Sequence, residues 1–207
     1  KGFTDDASQL NLTKIDTIIQ VPNNKKEIEI QLKNVLKYAK ENNLKISIAG
    51  AKHSMGGHTI YPNGILLNML PYKEMKLDTK NNILTIGSGA LWEDALLYLD
   101  KKGKSIAIMQ AFSSFSIGGS ISVNGHGWQK DSPPISSSVI SFTLMKENGV
   151  IINCSRQENS ELFQLVLGGY GLFGVILDIK LKVVENEALQ YKYIRLNPEN
   201  YVNYYKK

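Results

Sequence analysis

Apolar positions recur along the chain with two periods, about two and about 3.6, and the switches between them mark out the elements. Residues 16–49 predict strand, helix, strand. The stretch 17–21 is β-rich and stops at Pro22, which has no amide to offer a ladder. Asn24 followed by Glu27 has the spacing of an N-terminal cap. Ile28, Leu32, Val35, Leu36 and Ala39 then fall on one helical face. Residues 45–49 form a short apolar strand ending at Gly50. Together these make a compact βαβ unit whose second strand delivers the chain into the loop 50–58.

Further on, the pattern favours strands and hairpins. Residues 65–68 predict a strand, and 75–77 with 83–86 flank the turn 78–82 as a hairpin. Residues 87–90 lead into a helix with Leu91, Ala95, Leu96 and Leu99 on its buried face, stopped by Gly103. A strand over 105–109 follows. Residues 110–138 hold many Ser and Gly, two prolines and little periodicity, and an irregular stretch of that length in a domain is usually functional. Regular structure resumes with strands 139–145 and 150–154 around a turn at Asn148–Gly149. A helix over 161–167, a loop 168–174, a long strand 175–184 and a further strand 191–196 complete the reading. The tail from Asn197 reads as the first turns of a further unit, and there is no internal repeat.

Composition narrows the class. The chain has 207 residues, 43% hydrophobic and 21% charged, which suits one large α/β domain or two small lobes sharing a core. Such a core needs no metal or disulfide staple. The lone Cys154 cannot form an internal disulfide, and no apolar run is long enough to span a bilayer. Residues 1–6 lack a signal-peptide core and do not begin with Met, so the compartment stays open between cytoplasmic and, after removal of a signal, exported or periplasmic. The net charge of +5 is spread over dispersed lysines with only two arginines. That excludes a nucleic-acid footprint, which clusters charge among aromatics. It leaves a solvated basic surface or a mild pull on a polyanionic cofactor or acidic substrate.

Three segments poor in side chains carry the candidate chemistry. The first, residues 50–58, lies just past a strand, where open α/β sheets place ligands. Its glycines permit close backbone approach. The His53 imidazole, when neutral, is a competent nucleophile toward an electrophilic carbon, or else it caps the turn. The second, residues 115–127, holds four glycines, three serines and an asparagine without a charge. Its turns are read either as a nest of amides for a phosphate or as a Gly/Ser surface loop, with Phe115, Ile117, Ile121 and Val123 arguing for burial. The third, residues 168–175, contains Gly169-x-Gly171-x-x-Gly174. A helix precedes it and a strand follows, the reverse of the Rossmann order, so that reading is rejected. A turn packed on a flat cofactor and a purely structural turn both remain. The three histidines lack cysteine or acidic partners at ligand spacing, so no metal is expected. Neither a nucleophile elbow nor a Walker A motif is present.

In this order the segments resemble the FAD-binding domain of the vanillyl-alcohol oxidase and p-cresol methylhydroxylase (PCMH-type) FAD-linked oxidases. The likeness is nearest the cytokinin dehydrogenase and sugar or aldonolactone oxidase branches. It runs from about Thr17 to Glu187 and includes Asn153-Cys154-Ser155 ahead of Asn159-Ser160-Glu161-Leu162-Phe163. It implies a two-lobed α+β fold: a small parallel βαβ lobe, a larger mainly antiparallel lobe with helices, and FAD between them. Residues 1–15 would be an N-terminal extension, 16–187 the FAD-binding domain, and 188–207 the start of a truncated C-terminal substrate domain.

The resemblance implies cofactor contacts from Gly50, Ala51, Lys52, His53, Ser54, Met55, Gly57 and His58, with His53 as the candidate covalent link to the flavin. From the second segment it implies Ser116, Gly118, Gly119, Ser122, Val123, Asn124, Gly125 and His126; from the third, Gly174, Val175 and Ile176. Lys52 stands where relatives often have glycine. Ala111 stands where cytokinin dehydrogenases carry an acidic residue, which argues against a cytokinin substrate. The implied activity is hydride transfer from a small-molecule CH–OH or CH–NH group to flavin N5. The catalytic base is expected in the C-terminal substrate domain of the same protein. Two alternatives are a non-enzymatic flavin-fold binding protein and an NADPH-dependent flavin reductase of related fold.

Overall fold

The structure is a computed structural model and describes residues 2–128 and 132–206. Strands β1 (Gly2–Thr4) and β2 (Thr13–Ile15) pair as an antiparallel hairpin. Strand β3 (Thr17–Gln20), helix α1 (Lys25–Glu41), β4 (Ile46–Ala49) and β5 (Ile65–Asn68) then build a small lobe. Its three strands are parallel in the order β3-β5-β4, which leaves β4 at an edge. Asn24 caps α1 as its spacing predicts: the amides of Lys26 and Glu27 donate to Asn24 Oδ1 at 3.0 and 3.2 Å. Ile28, Leu32, Val35 and Ala39 are the buried face of α1, with Leu36 half-buried beside them.

The larger lobe is antiparallel. It holds β6 (Met75–Asp78), β7 (Ile83–Gly87), α2 (Trp92–Asp100), β8 (Lys104–Ile106), α3 (Ile117–Ser122), β9 (Val139–Met145), β10 (Ile151–Ser155), α4 (Ser160–Val166) and β11 (Val175–Glu185). The strand order is β10-β9-β11-β7-β6, with β8 also on β11. Side chains alternate across a strand, and β11 uses both faces. Ile176, Ile179, Leu181 and Val183 join the core beneath α2, α3 and α4. Val175 and Leu177 join the core around α1. One long strand therefore forms a wall common to both lobes. The α+β class and the parallel-plus-antiparallel arrangement match the expectation.

A polar triad centred on the buried Tyr72 ties the lobes together across that wall. The Tyr72 hydroxyl donates to Asp178 Oδ1 at 2.5 Å, and Lys25 Nζ pairs with Asp178 Oδ2 at 2.5 Å. Burial, reinforced by the bond to Asp178, pushes the Tyr72 phenol far above its ordinary range, so it stays a donor. Lys25 is half exposed and recovers hydration if the pair is broken, whereas Tyr72 is fully buried. Asp178→Ala is therefore expected to cost about 1–3 kcal/mol, mostly from the stranded hydroxyl. Tyr72→Phe should cost about 1 kcal/mol, because Asp178 keeps Lys25. Urea unfolding of both variants checks the order; equal losses would contradict it.

Four local expectations need correction. Residues 191–196 form no strand: 186–197 are irregular and exposed, pairing with no strand among the described residues, before a short exposed helix α5 (Pro198–Tyr205). The stretch 110–138 is not wholly irregular, since it contains α3 and a 3-10 turn at Ile135–Ser137. The strand expected at 105–109 is shorter and earlier, at Lys104–Ile106. At α2, Leu91 and Leu96 are only half-buried, and Trp92 joins Ala95 and Leu99 on the buried face.

Candidate functional site

The three glycine-rich segments meet at a cleft of about 400 Å³ between β4 and the turns of the larger lobe. Each pair of segments touches. Between the first and second, the Ala51 amide donates to Ser116 Oγ at 3.4 Å, and the His53 ring lies 4.5 Å from that of Phe115. Between the second and third, the amides of Gly168 and Tyr170 donate to the carbonyls of Ile121 and Ser122 at 3.1 and 2.9 Å. Between the first and third, the His58 and Tyr170 rings lie 5.5 Å apart. The turns of the third segment use left-handed backbone at Gly168, Tyr170 and Gly171, and φ of +144° at Gly174.

The cleft wall includes Gly50, Ala51, Lys52, His53, Ser54 and His58 from the first segment. From the others it includes Ser116, Gly118, Gly119, Ser122, Val123, Gly174 and Ile176. Of the second segment's apolar residues, Ile117 and Ile121 are fully buried, but Val123 is 42% exposed and faces the cleft mouth. Six residues of the expected set lie outside the wall, each for a visible reason. Met55 is exposed, and its carbonyl accepts from Asn11 Nδ2. The Gly57 amide is taken by Asp6. Asn124 is left-handed, and its Oδ1 accepts from the Ser136 amide. Gly125 packs on Gln110, where a Cβ would sit 2.5 Å from the side-chain amide carbon. His126 is exposed against the Gly127 carbonyl, and Val175 is buried in the α1 core.

The expected nest of free amides is partly filled by protein. The Ile117 and Gly118 amides donate to the carbonyls of Ala90 and Ser88, both at 2.8 Å. What the wall offers instead is hydroxyls. Ser47, Ser54, Thr59 and Ser88 each have a buried side-chain oxygen with no hydrogen-bond partner among the described residues. An unpaired buried hydroxyl costs about 1–3 kcal/mol, so four around one cleft point to a polar ligand. Of these, Ser47, Thr59 and Ser88 lie outside the predicted set. The signal for Ser47 is one polar residue inside the apolar strand 46–49; for Ser88 it is the Gly-Ser-Gly turn at a strand end. Among the described residues the wall contains no carboxylate, while Lys52, His53 and His58 line it. A described wall without negative charge is compatible with an anionic ligand. No group of three or more His, Cys, Asp or Glu able to hold a metal occurs among the described residues.

The loop 50–58 is gripped from the N-terminal side. Asp6 is buried, and its carboxylate accepts from the Ser8 hydroxyl and amide at 2.6 and 3.0 Å, Asn11 Nδ2 at 3.0 Å and the Gly57 amide at 2.8 Å. The Ser8 hydroxyl does most to lower the acid's pKa, against opposing desolvation, from 3.8 to about 2. A depressed carboxylate contributes stability above its unfolded value and loses it as pH falls through the folded value. The grip therefore holds above pH 3.8 and is released toward pH 2. An NMR titration of the Asp6 carboxyl carbon should show a midpoint near 2, and one at or above 3.8 would contradict the grip.

Similarity to known proteins identifies the family. Residues 18–155 match the family described as FAD binding domain. Cytokinin dehydrogenase 2 of Arabidopsis thaliana is 28% identical over 168 residues, covering 80% of this chain and 33% of the relative. L-gulonolactone oxidase of Bos taurus is 29% identical over 161 residues, covering 77% of this chain and 36% of the relative. Mitochondrial L-galactono-1,4-lactone dehydrogenase of Arabidopsis thaliana is 27% identical over 172 residues, covering 83% and 28%. The chain thus spans about a third of the length of these relatives. With the match covering most of the two lobes, the chain belongs to the FAD binding domain family, and FAD is its cofactor.

Proposed function

We propose that this chain holds FAD in the cleft, with His53 as the covalent attachment point, and that it serves an FAD-dependent oxidoreductase. The observation that carries the reading is the set of four hydroxyls, unpartnered among the described residues, around a cleft whose described wall holds no carboxylate. When bound, FAD supplies a two-electron acceptor for a hydride from a small-molecule CH–OH or CH–NH group. The protein's part is to bind and orient. Ser47, Ser54, Thr59 and Ser88 would offer hydrogen bonds to it, while Ile46, Ile48 and Ile60 would supply apolar wall that limits water. His53 is exposed toward the cleft and steadied by Phe115, so its ring is both accessible and oriented.

The names of the relatives point to cytokinins and to lactones as substrates to test, and Ala111 weighs against a cytokinin. Residues 188–207 would begin the substrate domain, which would bring the catalytic base. Acid precipitation of the flavin-loaded protein tests the attachment. The colour should stay with the pellet, and His53→Ala should move it to the supernatant while FAD is still bound. Colour wholly in the wild-type supernatant would exclude the link. Bleaching of the bound flavin by a lactone or a cytokinin, without oxygen, tests the oxidoreductase reading in the whole protein.

A further inference from the structure

The loop that carries His53 makes few bonds of its own. Among the described residues, the backbone hydrogen bonds of residues 52–56 go only to the N-terminal hairpin. The Ala7 amide donates to the Lys52 carbonyl at 3.1 Å, and Asn11 Nδ2 donates to the Met55 carbonyl at 3.2 Å. Lys52 Nζ donates to Thr4 Oγ1 at 2.9 Å, and the Gly57 amide donates to Asp6 Oδ2 at 2.8 Å. These four contacts bracket His53 on both sides. Lys52, next to it, has φ of +54°, a left-handed conformation that a residue with a Cβ keeps only when its surroundings enforce it. The loop also carries Gly56 and Gly57, which would otherwise leave it many conformations.

Asp6 is the hub. It organises Ser8 and Asn11 within the hairpin and reaches Gly57 across the gap. We propose that Asp6 is a positioning residue for the cofactor site: through it, residues 2–15 hold the His53 loop in its binding shape before FAD arrives. This rests on reading the cleft as the FAD site. The hairpin lies ahead of the region that matches the family, residues 18–155, so cofactor capture in this chain depends on a segment outside that region. The physical basis is pre-organisation, because a loop already ordered pays less to bind.

The test uses the full chain with Asp6→Ala and Asp6→Asn, read in two ways. Hydrogen exchange of peptides covering residues 50–60, without flavin, should speed up at least tenfold in Asp6→Ala while β9–β11 peptides stay unchanged. FAD affinity, from quenching of flavin fluorescence, should fall at least tenfold. Asp6→Asn, which keeps one acceptor oxygen, should fall between. If Asp6→Ala melts the whole chain, Asp6→Asn and Asn11→Ala carry the same readouts. Unchanged exchange over residues 50–60 overturns the proposal, and so does a loosened loop with wild-type affinity for FAD. A wild-type chain that takes up no FAD overturns the cofactor reading instead, and the exchange readout still decides whether Asp6 orders the loop.

Discussion

Trp92→Ala is expected to remove about 3–5 kcal/mol of folding stability, the range for a large aromatic lost from a packed core. Trp92 is fully buried at the start of α2, among the side chains that join α2 and α3 to the large sheet. Its indole Nε1 donates to Ser120 Oγ at 2.9 Å, and Ser120 is itself buried in the cleft wall. The substitution thus opens a cavity and leaves a hydroxyl unpaired beneath the second segment. The hydrogen bond alone is worth about 1 kcal/mol, so packing dominates and Trp92→Phe should lose only about 1–2 kcal/mol. Domains have about 5–15 kcal/mol in total, so the alanine variant should be close to unfolding at 37 °C. Denaturant midpoints for the two variants measure this. A loss below about 1 kcal/mol for alanine would show that Trp92 does not support the wall.

The second large effect falls on binding. Gly50→Ala is expected to weaken FAD binding at least about tenfold, or ~1.4 kcal/mol. A Cβ at Gly50 would lie 2.0 Å from Ser116 Oγ and 2.7 Å from Ser116 Cβ. Rotation of the hydroxyl relieves the first contact, but nothing short of moving α3 relieves the second. The first and second segments must then separate, and the Ala51–Ser116 bond is lost with them. Gly103→Ala is the control. Gly103 has φ of +66° with nothing within 4 Å of its would-be Cβ, and it is not part of the cleft wall. That variant should lose about 1–2 kcal/mol of stability to left-handed strain and none of its affinity for FAD. Fluorescence titration of both separates steric opening of the slot from general damage.

What the sequence disclosed and what it hid have physical reasons. The face of α1, the hairpin of β6 and β7 and the long strand β11 were legible because each follows a strong local period and ends at a cap or turn residue. Helix α3 was not, because Gly118 and Gly119 are poor helix formers. Tertiary contacts override that preference: Gly118 lies so close to the Ser88 carbonyl that any Cβ would sit 2.8 Å from it. The same contact explains why amides read as free for a phosphate are partly used by Ser88 and Ala90. Residues 191–196 carry β-forming side chains but meet no strand edge, and pairing is a property of neighbours rather than of a segment.

Within the cleft, the meeting of the three segments followed from glycine patterns and family resemblance, whereas the buried hydroxyls did not. A serine in a strand or turn looks ordinary until its surroundings are known. The N-terminal segment was read as an extension for a related reason. Its bonds to the loop 50–58 join residues more than 40 positions apart, beyond any local pattern.

If three separated turns form one slot for FAD, hydrogen exchange of the chain with and without the cofactor shows it most directly. FAD should slow exchange together in peptides covering residues 46–60, 115–123 and 168–176, with little change at α5. Protection of one segment alone, or of none while FAD is bound, would contradict the account.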